Sequence, residues 1–242
     1  MVNRSSSLVN NVGGSLVDRL VPATPGTARD ASSRDGTTRH GTARDGSARH
    51  GSARSGSPTS GAATRAALRP LLLVGVGVAF LALLAQLRLQ IGPVPVTGQT
   101  LGVLLLGAAY GARLGALSAG AYALLGVAGL PLFAGGGSGA AYLLGPTGGY
   151  LVGFVVAAAL LGALAERGWD RTYLRAALAM LAATVVIYLL GVSWLTAALG
   201  GDLKQALAVG LAPFVVGDLI KLGVAMTLLP TAWRLLGRLD DK

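Results

Sequence analysis

The sequence has no cysteine, and both of its histidines, His40 and His50, lie near the N-terminus. The absence of cysteine excludes a disulfide framework, a thiol nucleophile and thiolate metal ligands. Beyond residue 69 there is also no histidine for a metal or for general base catalysis. The acidic side chains of that part are few: Glu166, Asp170, Asp202, Asp218, Asp240 and Asp241. These absences argue against an enzyme, a metal site or a bound cofactor.

Charge is scarce along most of the chain and is unevenly distributed. Hydrophobic residues make up 52% of the 242 residues and charged residues only 12%, whereas a soluble domain usually has about 25%. Ten of the 20 basic residues are arginines within residues 1–69. That segment lacks the aromatic side chains with which single-strand nucleic-acid binders stack bases. We therefore expect a basic tail joined to a membrane domain, and no nucleic-acid partner.

Residues 1–69 are expected to form a disordered N-terminal tail. A five-residue repeat runs through residues 27–56, in six copies that each have arginine in the third place. Five residues match neither helical nor strand periodicity, and no copy has a large apolar side chain that would offset the entropy of ordering. The arginines are compatible with weak adhesion to anionic lipid headgroups. A solvated segment without a specific role is the preferred interpretation.

The remaining chain, residues 70–242, contains several stretches that are apolar enough to cross a membrane, which takes roughly 20 mainly apolar residues. Charged residues mark where these stretches end, and Pro93 with Pro95 disfavours helix in the first connection. The expected helices lie near residues 70–87, 98–111, 114–128, 148–165, 176–200 and 206–233. The sequence thus predicts an all-α integral membrane protein, a bundle of about six transmembrane helices behind the tail.

The basic residues predict the orientation of the bundle. With the tail in the cytoplasm, six crossings leave only Arg88 and Lys204 in the outer connections. The inner side then carries the other basic residues of the connections and the C-terminus: Arg113, Arg167, Arg171, Arg175, Arg234, Arg238 and Lys242. This asymmetry follows the positive-inside rule. It predicts a multi-pass protein of the cytoplasmic membrane with both termini in the cytoplasm.

One acidic and one basic residue lie within the last apolar stretch. Asp218 and Lys221 are expected near the centre of the helix over residues 206–233. A charge at a helix centre costs roughly 2.5–3.5 kcal/mol on insertion scales, so such residues usually mark a ligand or ion path. The i, i+3 spacing places both on one helix face. They are expected to pair with each other or to face a ligand together, and a purely structural ion pair remains the alternative.

Two uncharged connections on the predicted outer side have the composition of a pocket wall. Residues 130–150, LPLFAGGGSGAAYLLGPTGGY, combine exposed backbone with apolar side chains. Non-helical backbone at this depth must be buried in protein or line a cavity. Residues 92–100, GPVPVTGQT, add the hydrogen-bonding groups of Thr97, Gln99 and Thr100. Tight packing without ligand contacts is the alternative for the first segment, and helix capping for the second.

Small residues recur at helical spacing. Gly75 and Ala79 form a small-xxx-small pair on the first helix, and Gly115, Ala119 and Ala123 follow the third. Such residues let helices approach closely. For any one of these motifs, packing inside the bundle is preferred over a docking face for a membrane partner.

Four segments, PVPVTGQTL, LGALSAGAYALLGVAGLPLFAGGGSG, LGPTGGYLVGF and APFVVGDLIK, together resemble the BioY family in order and spacing. The resemblance spans residues 70–236, and the GLPLFAG…GPTGGYLVGF block is its specific part. It implies a biotin-specific substrate-binding (S) component of an energy-coupling factor (ECF) transporter, with six transmembrane helices and a pocket near the outer face. It also implies a transmembrane coupling (T) protein and two cytoplasmic ABC-type ATPases as partners, and the sequence contains no Walker A motif of its own.

The resemblance assigns the ligand site to four segments. These contribute Thr97, Gln99, Phe133, Gly135, Ser138, Tyr142, Tyr150, Asp218 and Lys221. Some relatives carry a polar side chain such as Asn in the Gly-rich run, whereas this chain offers only Ser138 and backbone there. Asp218 is suited to accept the ureido N–H groups of biotin, and Lys221 to meet an acceptor or to orient Asp218. Which end of biotin meets this pair stays open at this point.

Other functions are weighed beside biotin capture. An S component for another vitamin would share the architecture and differ in the pocket. A proton-coupled secondary transporter using Asp218 is less favoured, because the first half of the bundle has no counterpart of the last helix's chemistry. A membrane enzyme is least favoured, because nucleophile and base candidates are missing.

Overall fold

The computed structural model describes residues 15–20, 60–90 and 92–240, which are almost entirely helical. The five-residue repeat lies outside the described residues, and so does most of the predicted tail. In chain order, the elements are α1 (Leu16–Leu20), α2 (Ser60–Gln86), β1 (Arg88–Leu89), β2 (Val96–Thr97), α3 (Gln99–Val127), a 3₁₀ turn (Ala134–Gly136), α4 (Ala140–Leu144), α5 (Gly148–Glu166), a 3₁₀ turn (Trp169–Arg171), α6 (Tyr173–Ala198), α7 (Leu203–Gly210) and α8 (Ala212–Asp240). The two short strands pair antiparallel and close the connection between α2 and α3.

Helix α3 is a helical hairpin with its bend at Gly111. This residue has φ 80° and ψ 177°, a conformation that is essentially restricted to glycine. A Cβ built on Gly115 would lie 3.1 Å from the Cα of Gly107, although eight helical residues span about 12 Å along a straight axis. The arms over residues 99–110 and 112–127 therefore pack against each other, as the separate predictions for 98–111 and 114–128 require.

The bend of α3 is held by a side chain from a neighbouring helix. The carboxylate of Glu166, the last residue of α5, accepts a 2.9 Å hydrogen bond from the backbone N–H of Ala112. This N–H belongs to the first turn of the second arm, where no intrahelical acceptor exists. Glu166 thus supplies the missing acceptor at the point where the chain reverses.

The number of membrane crossings depends on how the hairpin is counted. Five described helices are long and apolar enough to span a membrane, and α3 is one of them. Because α3 reverses at Gly111, its two arms count as two helices of the bundle, which gives six. The predicted all-α bundle of about six transmembrane helices is confirmed.

Helix α5 lies in the groove of the hairpin because the contact is built from small residues. A Cβ on Gly107 would stand 2.9 Å from the backbone oxygen of Ala158, and one on Gly162 would overlap the backbone of Ala112. Ala157 and Ala158 are fully buried. Backbones that approach this closely gain van der Waals contact, which drives helix association in lipid. Among the predicted small positions of the hairpin, Gly115 and Ala119 are buried, as expected for internal packing.

Gly75 and Ala79 differ from those packing positions. Both are exposed, and no atom lies within 4 Å of a Cβ built on Gly75. The described bundle thus leaves this pair uncovered, and the packing role preferred for it from sequence does not apply. Neighbouring Gly77, by contrast, faces the buried Ser118 of α3.

The N-terminal side of the bundle differs from the expected boundary at residue 69. Helix α2 begins at Ser60 and continues through Arg65 and Arg69, because a charged side chain does not break a helix. The part of α2 that is apolar enough to span a membrane is Leu68–Gln86. Further upstream, α1 packs beside the bend of α3, and its Leu16 and Val17 are buried. Its Asp18 pairs with Arg69 at 3.1 Å. Helix α1 thus buries large apolar side chains, which the repeat lacks.

The last predicted helix, residues 206–233, is two helices. Asp202 caps α7 by accepting a 2.9 Å hydrogen bond from the N–H of Gln205, and the chain breaks at Leu211 before α8. Asp218 is therefore the seventh residue of α8 and not at a helix centre. Lys221 reaches the backbone oxygen of Thr97 in the first connection at 2.6 Å, so the pair lies toward the end of the bundle that holds that connection.

Candidate functional site

A cavity opens at the end of the bundle where the α2–α3 and α3–α5 connections meet. Helices α3, α5, α6 and α8 and both connections contribute to its wall. The aromatic lining residues are Phe133, Tyr142, Tyr150, Phe154, Tyr188 and Phe214, and the polar ones are Thr97, Gln99, Thr100 and Thr147.

The aromatic side chains hold one another in place around the cavity. Phe133, which is fully buried, stacks on Tyr142 with ring centroids 4.6 Å apart. On the other side, Phe214 is 6.2 Å from Tyr150 and 6.3 Å from Tyr188. Tyr150 is fixed further by its hydroxyl, which donates a 2.7 Å hydrogen bond to the backbone oxygen of Gly210. The rings therefore form a preorganised apolar slot that suits a flat ligand.

The polar groups of the first connection form a chain of hydrogen bonds. The Thr97 hydroxyl donates to Gln99 Oε1 at 3.0 Å. Gln99 in turn donates from Nε2 to the Tyr122 hydroxyl at 2.8 Å, and that hydroxyl donates to the backbone oxygen of Leu132 at 3.1 Å. The chain joins the start of α3 to the start of the Gly-rich connection, so it fixes both segments at the cavity.

Asp218 and Lys221 form an ion pair of 2.7 Å directly behind the cavity wall. Asp218 is buried, and its Oδ1 also accepts a 3.0 Å hydrogen bond from the hydroxyl of Thr100. Its Oδ2 accepts a 2.5 Å hydrogen bond from the hydroxyl of Tyr188. Both hydroxyls belong to residues that line the cavity. The carboxylate therefore orients polar groups of α3 and α6 toward the same space.

The structure brings most of the predicted site residues together. Thr97, Gln99, Phe133, Tyr142 and Tyr150 line the cavity itself. The predicted ion pair stands one layer behind them, within hydrogen-bond distance of the Thr97 backbone and of Thr100.

Gly135 and Ser138 are not in the cavity wall. Ser138 is exposed, and Gly135 lies on the outside of the Gly-rich connection, where a Cβ would overlap the guanidinium of Arg88. The neighbouring Phe133 turns inward instead, and its backbone oxygen accepts a 3.2 Å hydrogen bond from Gln86. Ligand contact by Gly135 and Ser138 stays a prediction.

Sequence reasoning did not name several residues of the cavity. Phe154, Tyr188 and Phe214 are among those absent from the predicted site that line it, whereas Thr100 was expected at the pocket wall without being assigned to the site. Tyr188 offered a signal, since a phenol within the apolar stretch over 176–200 needs a hydrogen-bond partner when buried. Phe154 and Phe214 offered none, because aromatic residues are common on every face of a membrane helix.

Tyr142 lies in the short helix α4, between the spans, where the cavity meets the α3–α5 connection. Burial raises the pKa of its hydroxyl above the usual value, while the hydroxyl of Thr147 and the positive charge of Arg88 act in the opposite direction. The phenol is therefore neutral at physiological pH and is available as a hydrogen-bonding group. Among the described residues, no group of three or more His, Cys, Asp or Glu side chains forms a metal site.

The family comparison covers most of the chain. A model of the BioY family matches residues 57–238, which includes every transmembrane helix described above.

Individual relatives agree with this match. The chain is 41% identical over 154 residues to the "Probable biotin transporter BioY" of Pyrococcus horikoshii, a region that covers 64% of this chain and 90% of that relative. It is also 41% identical over 162 residues to the "Biotin transporter BioY" of Thermotoga maritima, covering 65% and 92%.

A solved structure is similar in fold. The "S-component for biotin from an ECF-type ABC transporter" superimposes with a TM-score of 0.64 at 27% sequence identity. The alignment covers 70% of this chain and 93% of that structure.

Proposed function

The chain belongs to the BioY family, and from this premise we propose that it captures biotin as the S component of an ECF-type transporter in the cytoplasmic membrane. One observation carries the proposal beyond family membership. The cavity joins an apolar slot of aromatic rings to hydroxyls oriented by a buried carboxylate. The relatives of this chain are named as transporters, which agrees with the expectation that the chain is not an enzyme.

The chemistry of biotin matches the two parts of the cavity. Biotin has a fused ring system with a flat ureido group, an apolar thiophane ring and a valeryl chain that ends in a carboxylate. Stacked rings such as Phe133 and Tyr142 suit the apolar ring edges. The hydroxyl oxygens of Thr100 and Tyr188 suit the ureido N–H groups, because each hydroxyl donates its proton to Asp218 and keeps an acceptor lone pair for the ligand.

Asp218 and Lys221 act on the ligand through those hydroxyls. Lys221 donates to the backbone oxygen of Thr97, to Thr100 Oγ1 and to Asp218 Oδ1, which uses all three of its donors. The pair is thus satisfied internally, and its role is to position the polar wall. Breaking it removes the acceptor that holds Thr100 and Tyr188.

Transport requires partners that this chain does not supply. We propose a transmembrane coupling protein and cytoplasmic ABC-type ATPases, since the sequence has no Walker A motif. The exposed Gly75 and Ala79 on α2 offer a smooth surface for a helix of the coupling protein. The surrounding surface, with exposed Leu72, Val76 and Leu83, suits membrane lipid.

Equilibrium binding of labelled vitamins to the purified protein tests the proposal. We expect saturable binding of biotin and no competition by unrelated vitamins. The variant Tyr188→Phe/Thr100→Val should bind biotin at least about tenfold more weakly, because two polar groups of the wall are lost. The control Thr227→Val removes a hydroxyl that bonds only within its own helix and should bind as the wild type does. Binding of a different vitamin, or proton uptake without any vitamin bound, would contradict biotin capture.

A further inference from the structure

The cavity is not the only space on its side of the bundle. A second space of about 550 Å³ lies over the outer connections, and we name it the vestibule. Pro95, Tyr142 and Thr147 line both the vestibule and the cavity. These shared wall residues place the two spaces side by side, so a ligand seated in the cavity can extend into the vestibule.

One charged side chain lies on the wall of these two spaces. Among the described residues that line either space, Arg88 is the only one with an ionised side chain, and it belongs to the vestibule. It lies in strand β1, where the pairing with Thr97 of β2 fixes its backbone beside the cavity. The other outer basic residue, Lys204, lies on α7 and lines neither space.

The Gly-rich connection is shaped to receive the guanidinium of Arg88. Gly135 has φ +71°, which side chains other than glycine rarely adopt. A Cβ on this residue would overlap the guanidinium carbon, so Arg88 lies directly against bare backbone. No carboxylate is paired with it among the described residues, and the paired cation of the site, Lys221, has every donor occupied.

These placements fix the direction in which an anionic ligand lies. A ligand carboxylate near Lys221 would meet no free donor there and would face the negative charge of Asp218. At the vestibule it meets an unpaired guanidinium, whose N–H groups match a carboxylate in fork geometry.

We infer that Arg88 binds the carboxylate end of the ligand in the vestibule, with the ligand's ring end in the aromatic cavity. The inference rests on the proposed function for the identity of the ligand. It extends that function by assigning the orientation of biotin and a specificity-determining residue. It also gives Gly135 a role, which is to let Arg88 lie at the mouth of the cavity.

The test compares biotin with its neutral carboxamide, biotinamide, on three proteins: the wild type, Arg88→Gln and the control Lys204→Gln. Arg88 is exposed, so its replacement is not expected to affect folding. The contact is an exposed charged one, and such contacts contribute modestly to binding. We therefore expect Arg88→Gln to weaken biotin binding by about fivefold to tenfold and to leave biotinamide binding unchanged.

The control and the contrary outcomes are distinct. Lys204→Gln removes the same charge from the same side of the bundle and should bind both ligands as the wild type does. Equal weakening of biotin and biotinamide by Arg88→Gln, or no weakening of either, would overturn the role of Arg88. Failure of the wild type to bind either ligand would instead overturn the proposed function.

Discussion

Gln99 and Tyr122 lie 23 positions apart in the helical segment α3 and are joined by a 2.8 Å hydrogen bond. In a straight helix they would be about 34 Å apart. Their contact is possible because α3 reverses at Gly111. The same reversal brings the first connection and the Gly-rich connection to one end of the bundle, so the cavity depends on a bend at the opposite end.

We predict that Gly111→Ala destabilises the bundle. The added Cβ would lie 2.5 Å from Glu166 Oε1, and alanine at this backbone conformation costs about 1–3 kcal/mol. Thermal unfolding in detergent measures the loss. The control is Gly120→Ala in the second arm, where no atom lies within 4 Å of the new Cβ. An equal loss for both variants would show that the bend is not the sensitive point.

We predict that Asp218→Asn and Lys221→Met each weaken biotin binding by at least the roughly 1.4 kcal/mol that corresponds to tenfold. Each change leaves the other charge of a desolvated pair without its partner. The double variant should fold yet still not bind, because an amide offers one acceptor oxygen where Thr100 and Tyr188 use the two oxygens of the carboxylate. Binding isotherms on all three variants measure this. Near-native affinity of the double variant would show a purely structural ion pair.

We predict that Gly75→Leu impairs uptake more than binding, because the residue is exposed on the surface proposed for the coupling protein. The matched variant Gly77→Leu, two positions along, collides with Ser118 inside the bundle. It should impair folding, and therefore binding and uptake together. Biotin uptake by cells, measured beside equilibrium binding of the purified proteins, separates the two. Equal loss of binding and uptake in Gly75→Leu would contradict a docking role.

We predict that a chain beginning at Thr64 binds biotin within about tenfold of the full chain but unfolds at a lower temperature. The truncation removes α1, whose buried Leu16 and Val17 pack at the bend of α3 and not at the cavity. Burying two such side chains contributes about 1.5–3 kcal/mol each at most. Full-length Leu16→Ala/Val17→Ala should reproduce the lower melting temperature. A larger loss of affinity on truncation would place the N-terminal segment in the ligand site.

We predict both termini in the cytoplasm, with the cavity facing outward. The absence of native cysteine makes single-cysteine labelling direct. Ser138→Cys, exposed beside the Gly-rich connection, should react with an impermeant maleimide in intact cells. Arg167→Cys, exposed after α5 at the other end, should react only after permeabilisation. The reverse pattern would invert the topology.

Part of this architecture could be predicted from the sequence because it rests on local properties. The lengths of the apolar stretches and the positions of the charged residues locate the transmembrane helices. This works because a helix in lipid must form all its backbone hydrogen bonds internally. The i, i+3 spacing of Asp218 and Lys221 similarly requires that they share one helix face, and the structure pairs them at 2.7 Å. Predicted boundaries differ most where a charged residue does not end the helix, as at Arg69 in α2.

The composition of the cavity was decided by the tertiary structure. In a membrane helix the inward and lipid-facing sides are both apolar, so periodicity does not reveal which side faces the bundle. Phe154 lines the cavity while Val152, two residues earlier, is exposed, and the sequence does not distinguish them. Tyr188 was likewise not named from the sequence, since only the packing of α6 against α8 turns it inward, and only the fold of the Gly-rich connection leaves Ser138 exposed. The sequence determined which segments cross the membrane, and close packing of their small residues decided which side chains meet.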